Sequence, residues 1–327
     1  MVGWRRGSRA ACLTIVSLAL FPAAGLSQEP AEGGATAQEP AEGGATAQEP
    51  TAGSAASSGG QEEGARGSAW FPSRSVFWDL LGPPRANGLW AALIDFEMEA
   101  GPFSGRKTRA AEVQMAWLMV VRRFQSEAES RPGVDLGLDF IITPRFNLDE
   151  PQKDLINTDF RVGIPISVAY RRFQMRLGYL HESSHLGDET VLRFTIGTLE
   201  QSSRDALEAT VTYQVAELGR VYVGGGWNWN RSDSNESLLA WTGFELDPGR
   251  IRSSLIIWPY VAADFRITDL TARVAGTLSG GGAFRVAGRI LRLELRGHFG
   301  PSPMGQFRTT DEDYFGAAIR FEPFPPH

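Results

Sequence analysis

His181-Glu182-Ser183-Ser184-His185 is the densest run of chemistry-bearing side chains in this 327-residue sequence. Its spelling fits H-E-x-x-H, in which two histidines one helical turn apart bind zinc and the glutamate acts as base. That geometry requires a helix. Here Phe173, Met175, Leu177 and Tyr179 lead in with period-two alternation and Gly187 follows, so the local pattern is a strand. Residues four apart on a strand share a face but stand about 13 Å apart by rise, too far for one zinc ion. Val191 also stands where the longer metalloprotease pattern wants a third histidine. A zinc protease is the remote reading, and no metal or other cofactor is expected.

Strand spacing instead pairs His181 with Ser183 on the face shared by Met175, Leu177 and Tyr179. A serine hydroxyl beside an imidazole can attack an acyl ester while the imidazole takes its proton. Such a pair needs a third group to orient the ring, and the residues just downstream offer Arg193 and Thr195. Asp188, Glu189 or Glu200 would serve only if the following loop folds back. The first reading of these residues is structural. Asp154, Asn157, Asp159 and Arg161 belong to the neighbouring end of the preceding strand, beside Glu182, Ser184, His185, Asp188 and Glu189. Together they can form a hydrogen-bonded rim, which His298 and Gln306 of the segment GHFGPSPMGQF can join.

These residues need a scaffold of strands, and the sequence supplies one. From Leu89 onward short alternating segments are separated by Gly, Asp, Asn and Pro. About twelve candidates lie near 88–100, 112–124, 133–145, 156–170, 172–183, 204–216, 219–230, 238–247, 254–266, 269–279, 286–298 and 312–322. Connections alternate between tight (YRRF at Tyr170, AELG at Ala216) and long, as in membrane barrels with short periplasmic turns and long external loops. The polar faces carry Arg161, Arg176, Glu208, Arg292, Glu294 and Arg296, which suits an ion-paired lumen better than a soluble sandwich. Tyr314, Gly316, Ile319 and Phe321 fit the spacing of a terminal barrel-assembly signal, so the barrel-assembly machinery is an expected partner. Trp117, Trp227, Trp229, Trp241 and Trp258 are candidates for the aromatic girdles. The glycines of RVYVGGGW fall within a strand and lack the Gly-Lys-Ser ending of a phosphate loop.

The other end of the chain is different. Arg5, Arg6 and Arg9 precede an apolar run from Ala10 to Gly25, the layout of a secretory signal over residues 1–27. Residues 28–68 hold a decapeptide, QEPAEGGATA, twice and then decayed; without large apolar side chains it is expected to stay disordered. Residues 69–327 form the barrel domain, with 28 basic against 31 acidic residues, a balance that argues against nucleic acid as partner. The sole cysteine, Cys12, lies in the signal, so the mature chain has no thiol chemistry.

DLINTDFRVGIP from Asp154, LGYLHESSHLGDE from Leu177, RVYVGGGW from Arg220, and GHFGPSPMGQF followed by DYFG at Asp313 resemble the Gram-negative outer-membrane proteins catalogued as domain of unknown function 1207. The resemblance spans roughly residues 70–321 and implies an all-β, transmembrane antiparallel barrel with no established activity. Locally, His181-x-Ser183 is similar to the H-x-S arrangement of outer-membrane phospholipase A and, more loosely, lipid A deacylase. Those families add an orienting Asn or Glu, which is unidentified here, and place Asn where Ser184 stands. The expected protein is an outer-membrane barrel among membrane lipids, both termini periplasmic, structural or passive or binding an unknown small solute. The alternative is a lipid acyl-ester hydrolase using His181 and Ser183.

Overall fold

Alternation with a period of two produces strands throughout the region the structure describes. The computed structural model describes residues 68–86, 88–125, 131–194, 202–232, 236–252 and 254–322. The expected signal peptide and all of the repeat segment but Ser68 lie outside these residues, as does Glu200. A two-residue strand β1 (Ala69–Trp70) precedes β2 (Leu89–Met98), β3 (Thr108–Gln125), β4 (Gly133–Asn147), β5 (Leu155–Tyr170), β6 (Phe173–Leu186) and β7 (Ser202–Val215). There follow β8 (Gly219–Arg231), β9 (Leu238–Leu246), β10 (Ile257–Thr268), β11 (Val274–Val286), β12 (Arg289–Phe299) and β13 (Glu312–Glu322). Strands β2 to β13 each pair antiparallel with the next, and β13 pairs with β2 from Glu312↔Met98 to Phe321↔Leu89. The result is a closed barrel of twelve strands, with β1 added against Arg122 and Arg123 of β3.

At the seam the two backbones come close. A Cβ on Gly316 would stand 2.1 Å from the Leu93 carbonyl oxygen, so this position of β13 excludes any side chain. The connections at the end where β2 begins and β13 finishes include Tyr170–Phe173, Val215–Gly219 and Val286–Arg289. In the last, Ala287 and Gly288 both take positive φ, at 49° and 74°, as a two-residue hairpin turn of the right hand requires. We call this the turn end. The opposite, loop end carries longer connections that hold the helix α1 (Asp188–Phe194) and a 3-10 turn (Gly305–Phe307).

Burial is inverted relative to a soluble protein. Leu293, Leu295, Ile319, Val221 and Val223 face outward, whereas Arg145, Arg292, Arg296 and Arg320 are among the most deeply buried side chains. Arg145 bonds Glu112 (2.5 Å) and Glu312 (2.7 Å), and Arg292 bonds Glu322 (2.6 Å) and Asp247 (2.7 Å). An apolar exterior and ion-paired interior are what a barrel in lipid needs.

The lumen is occupied by the chain itself. Residues 71–86 touch strands on all sides of it. Val76 N–H donates to Asp135, Trp78 N–H to Gln174 and Leu81 N–H to Glu245. Arg220 donates to the carbonyls of Trp78 and Asp79, Arg296 to those of Pro83 and Pro84, and Gln114 to that of Ala86. Leu81 packs with Trp258, Tyr260 and Ile290, and Leu80 against Tyr222 and Trp241.

Two expectations are corrected. The strand placed near 269–279 is β11 at 274–286, because Gly280, Gly281 and Gly282 remain in the ladder, opposite Val261, Tyr260 and Pro259. Trp241 and Trp258 point into the lumen, beneath Arg266 and against Leu81, so only Trp117, Trp227 and Trp229 of the five stand on the exterior.

Candidate functional site

The strand β6 carries the His181 segment to the loop end with its side chains divided between the two faces. Glu182 and Ser184 are buried in the lumen, while His181 and His185 point outward. A strand and not a helix therefore bears H-E-x-x-H, and the zinc geometry is absent.

On the outer face His181 lies opposite Asp205 of β7 in the ladder. Its Nδ1 is 2.8 Å from Asp205 Oδ1. The Tyr179 hydroxyl donates to the same oxygen at 2.8 Å, and the Asn230 amide of β8 donates to Oδ2 at 2.6 Å. The His181 side chain is 48% exposed and that of Asp205 14%, so the carboxylate sits beneath the imidazole and its neighbours. Ser183 lies on the same face as His181, roughly 7 Å along the strand by rise, opposite Ser203. Its hydroxyl has no hydrogen-bond partner among the described residues. Trp229 packs at 5.9 Å from Tyr179 and 5.4 Å from Trp227, forming an aromatic wall beside the cluster.

The sequence left no orienting group beside His181, and the structure brings the Asp205 carboxylate within hydrogen-bond reach of its ring. Asp205 lies beyond the loop, and strand register alone brings it to His181. Its signal is legible afterwards: on β7 the residues sharing its face are Leu207, Ala209 and Val211, among which a carboxylate is out of place.

The inward-facing half of the rim also forms, around partners the sequence did not indicate. Asp159 accepts from Asn157 (3.0 Å) and Ser184 and pairs with Arg85 at the tip of the luminal segment. Glu182 pairs with Arg204 (3.2 Å) and Arg308, both of which reach Glu236. Gln306 donates to the Ser184 carbonyl at 2.6 Å, and Gly305 N–H to Asp159 at 3.1 Å. A Cβ on Gly305 would meet the Ser184 Cβ at 2.5 Å, so the loop can lie here only without a side chain.

Other predicted rim residues stand apart. Arg161 reaches Glu208 at 3.3 Å deeper in the lumen. Asp154 pairs with Arg193 of α1 at 2.5 Å, a bond that raises the guanidinium above its ordinary value. Asp188 and Glu189 form the exposed first turn of α1, and His185 faces outward with its ring 5.9 Å from Phe160. His298 bonds Thr277 (2.9 Å) and the Pro301 carbonyl (3.1 Å) and stacks on Tyr314. In the proposed assembly signal Tyr314 is buried inside and Ile319 is exposed outside, at the seam strand.

A family model described as "Protein of unknown function (DUF1207)" matches residues 26–322. No protein with a curated description matches the chain. Among solved structures, outer membrane phospholipase A from Escherichia coli superposes with a TM-score of 0.54 at 11% identity, covering 72% of this chain and 90% of that one. The Salmonella typhi outer membrane phospholipase dimer with bound calcium gives 0.53 at 11%, covering 72% and 91%. At that identity the likeness is one of fold: this chain is an outer-membrane-type β-barrel.

Proposed function

We propose, for a chain that belongs to the DUF1207 family of proteins of unknown function and takes no activity from it, a lipid acyl-ester hydrolase with Ser183, His181 and Asp205 on its outer face. The observation that carries this reading is the 2.8 Å contact between His181 Nδ1 and Asp205, with Ser183 two residues away on the same face. With Nδ1–H donated to the carboxylate, the Nε2 lone pair is left to act as base. It takes the Ser183 proton as Oγ attacks the acyl carbonyl. Collapse of the tetrahedral adduct expels the alcohol, which leaves with the proton from Nε2. Water, deprotonated by the same nitrogen, then releases the fatty acid and restores the serine.

With the turn end periplasmic, the site lies at the outer leaflet, and its substrate arrives laterally through the membrane. The lumen plays no part in that traffic, and its occupation by residues 71–86 speaks against an open passive pore. The rim of Asp159, Glu182, Arg85, Arg204 and Arg308 then serves to hold β5 and β6 rigid behind the outward-facing groups.

Full-length protein refolded in detergent is expected to release fatty acid from phospholipid or from lipid A. Ser183→Ala and His181→Ala should each abolish release while the barrel still folds. Hydrolysis undiminished in both variants would remove this site from consideration.

A further inference from the structure

A carboxylate on the outer surface of a membrane barrel is costly unless its charge is spread over hydrogen-bond donors. Asp205 meets three: His181 Nδ1 and the Tyr179 hydroxyl on one oxygen, and the Asn230 amide on the other. The third depends on an irregularity in β8. Pairing runs Asp205↔Asn230 and then Ala206↔Asn228, so β8 has one extra residue at this point, Trp229. In a regular ladder Asp205 would face Trp229, and Asn230 would turn toward the lumen. The bulge instead leaves Trp229 and Asn230 both exposed, one packed against Tyr179 and the other bonded to Asp205. Bulges re-aim side chains in this way.

We propose that Tyr179 and Asn230 are positioning residues, delivered in part by the bulge, which fix Asp205 and through it the tautomer of His181. The inference rests on the hydrolase reading for its purpose but not for its test. Both donors are neutral, so they saturate the carboxylate without cancelling its charge. A carboxylate held on both oxygens cannot rotate away from the imidazole, and the ring keeps its proton on Nδ1. Trp229 covers the Tyr179 ring and keeps the hydroxyl aimed at Asp205.

The test uses the full chain in detergent micelles with ¹⁵N-labelled histidine, the His181 signals being assigned by their loss in His181→Ala. Imidazole nitrogen shifts report the tautomer directly, and fatty-acid release is measured in parallel. Tyr179→Phe, which keeps the ring, and Asn230→Ala should each populate the second tautomer of His181. Each should also lower kcat about tenfold with KM little changed, the loss of one hydrogen bond to a charged group. Deleting Asn230 restores the regular ladder, with Trp229 opposite Asp205 and Arg231 still opposite Arg204, and should reproduce the Asn230→Ala effect. Retained heat-modifiable gel mobility shows that each variant is folded. Folded Tyr179→Phe and Asn230→Ala proteins with the wild-type tautomer population would overturn the proposal, even if the wild type hydrolyses lipid through Ser183. A tautomer response without any wild-type hydrolysis would uphold the positioning role and sink the hydrolase reading.

Discussion

Replacing Asp205 tests the proposed chemistry more sharply than removing the nucleophile, because two substitutions are expected to fall in a set order. In the proposed mechanism the carboxylate stabilises the imidazolium through one contact, His181 Nδ1 to Oδ1 at 2.8 Å. A hydrogen bond involving a charged group is worth roughly 1.5–3 kcal/mol, or about 10- to 150-fold in rate at 1.36 kcal/mol per decade. The imidazole is half exposed, which screens the pair and favours the lower part of that range. Asp205→Ala should therefore lower kcat by about 10- to 30-fold. Asp205→Asn can keep its carbonyl oxygen toward His181 and Tyr179 while its amide meets the Asn230 amide, donor against donor. It loses the charge and one bond, and should fall between wild type and Asp205→Ala. The assay is initial-rate release of labelled fatty acid from mixed micelles at saturating lipid, with Ser183→Ala as background. Wild-type kcat in Asp205→Ala, or a slower Asp205→Asn than Asp205→Ala, would refute the assignment of Asp205 as orienter.

Three further outcomes follow from the scaffold. Arg145→Ala strands Glu112 and Glu312 in the lumen, and urea titration followed by tryptophan fluorescence should show a loss of about 3–5 kcal/mol, the cost of half a buried ion pair. Adding Glu112→Gln and Glu312→Gln should recover part of it. In planar bilayers the intact chain should show no steady conductance, whereas a variant lacking residues 72–86 should conduct; equal conductance in the two would contradict the blocked lumen. Gly316→Val places a side chain against the Leu93 carbonyl and should reduce the folded, heat-modifiable fraction on refolding, while Ala317→Val on the outward face should not.

The strands were legible because a wall between lipid and lumen imposes two-residue alternation, and eleven of the twelve boundaries fall close to those expected. The exception, β11, carries three glycines that look like a loop when read alone but remain strand when both neighbours supply hydrogen bonds. Periodicity gives the two faces of a strand but not which one looks inward, and so Trp241 and Trp258 were assigned to the exterior. Residues 71–86 have no periodicity and two adjacent prolines; only the cluster Phe77, Trp78, Leu80 and Leu81 marks them as more than a leader. At the site, His181 and Ser183 were legible from spacing within one strand. Asp205 and Asn230 belong to the next two strands, across loops of unknown reach, and only register and a bulge place them.

The luminal segment also bears on how the barrel assembles. Residues 71–86 precede β2 in the chain, yet in the finished protein they are ringed by β3, β4, β6, β8, β9 and β12. A sealed cylinder offers no sideways entrance to a strand-tethered peptide. The remaining entrance is along the bore from the turn end, so seating the segment while the sheet is still open, before the β13–β2 junction zips, is the shorter route. Trp78, Asp79, Pro83 and Pro84 then act as a mandrel around which the sheet curls. The buried arginines that grip their carbonyls record the diameter at which it stops.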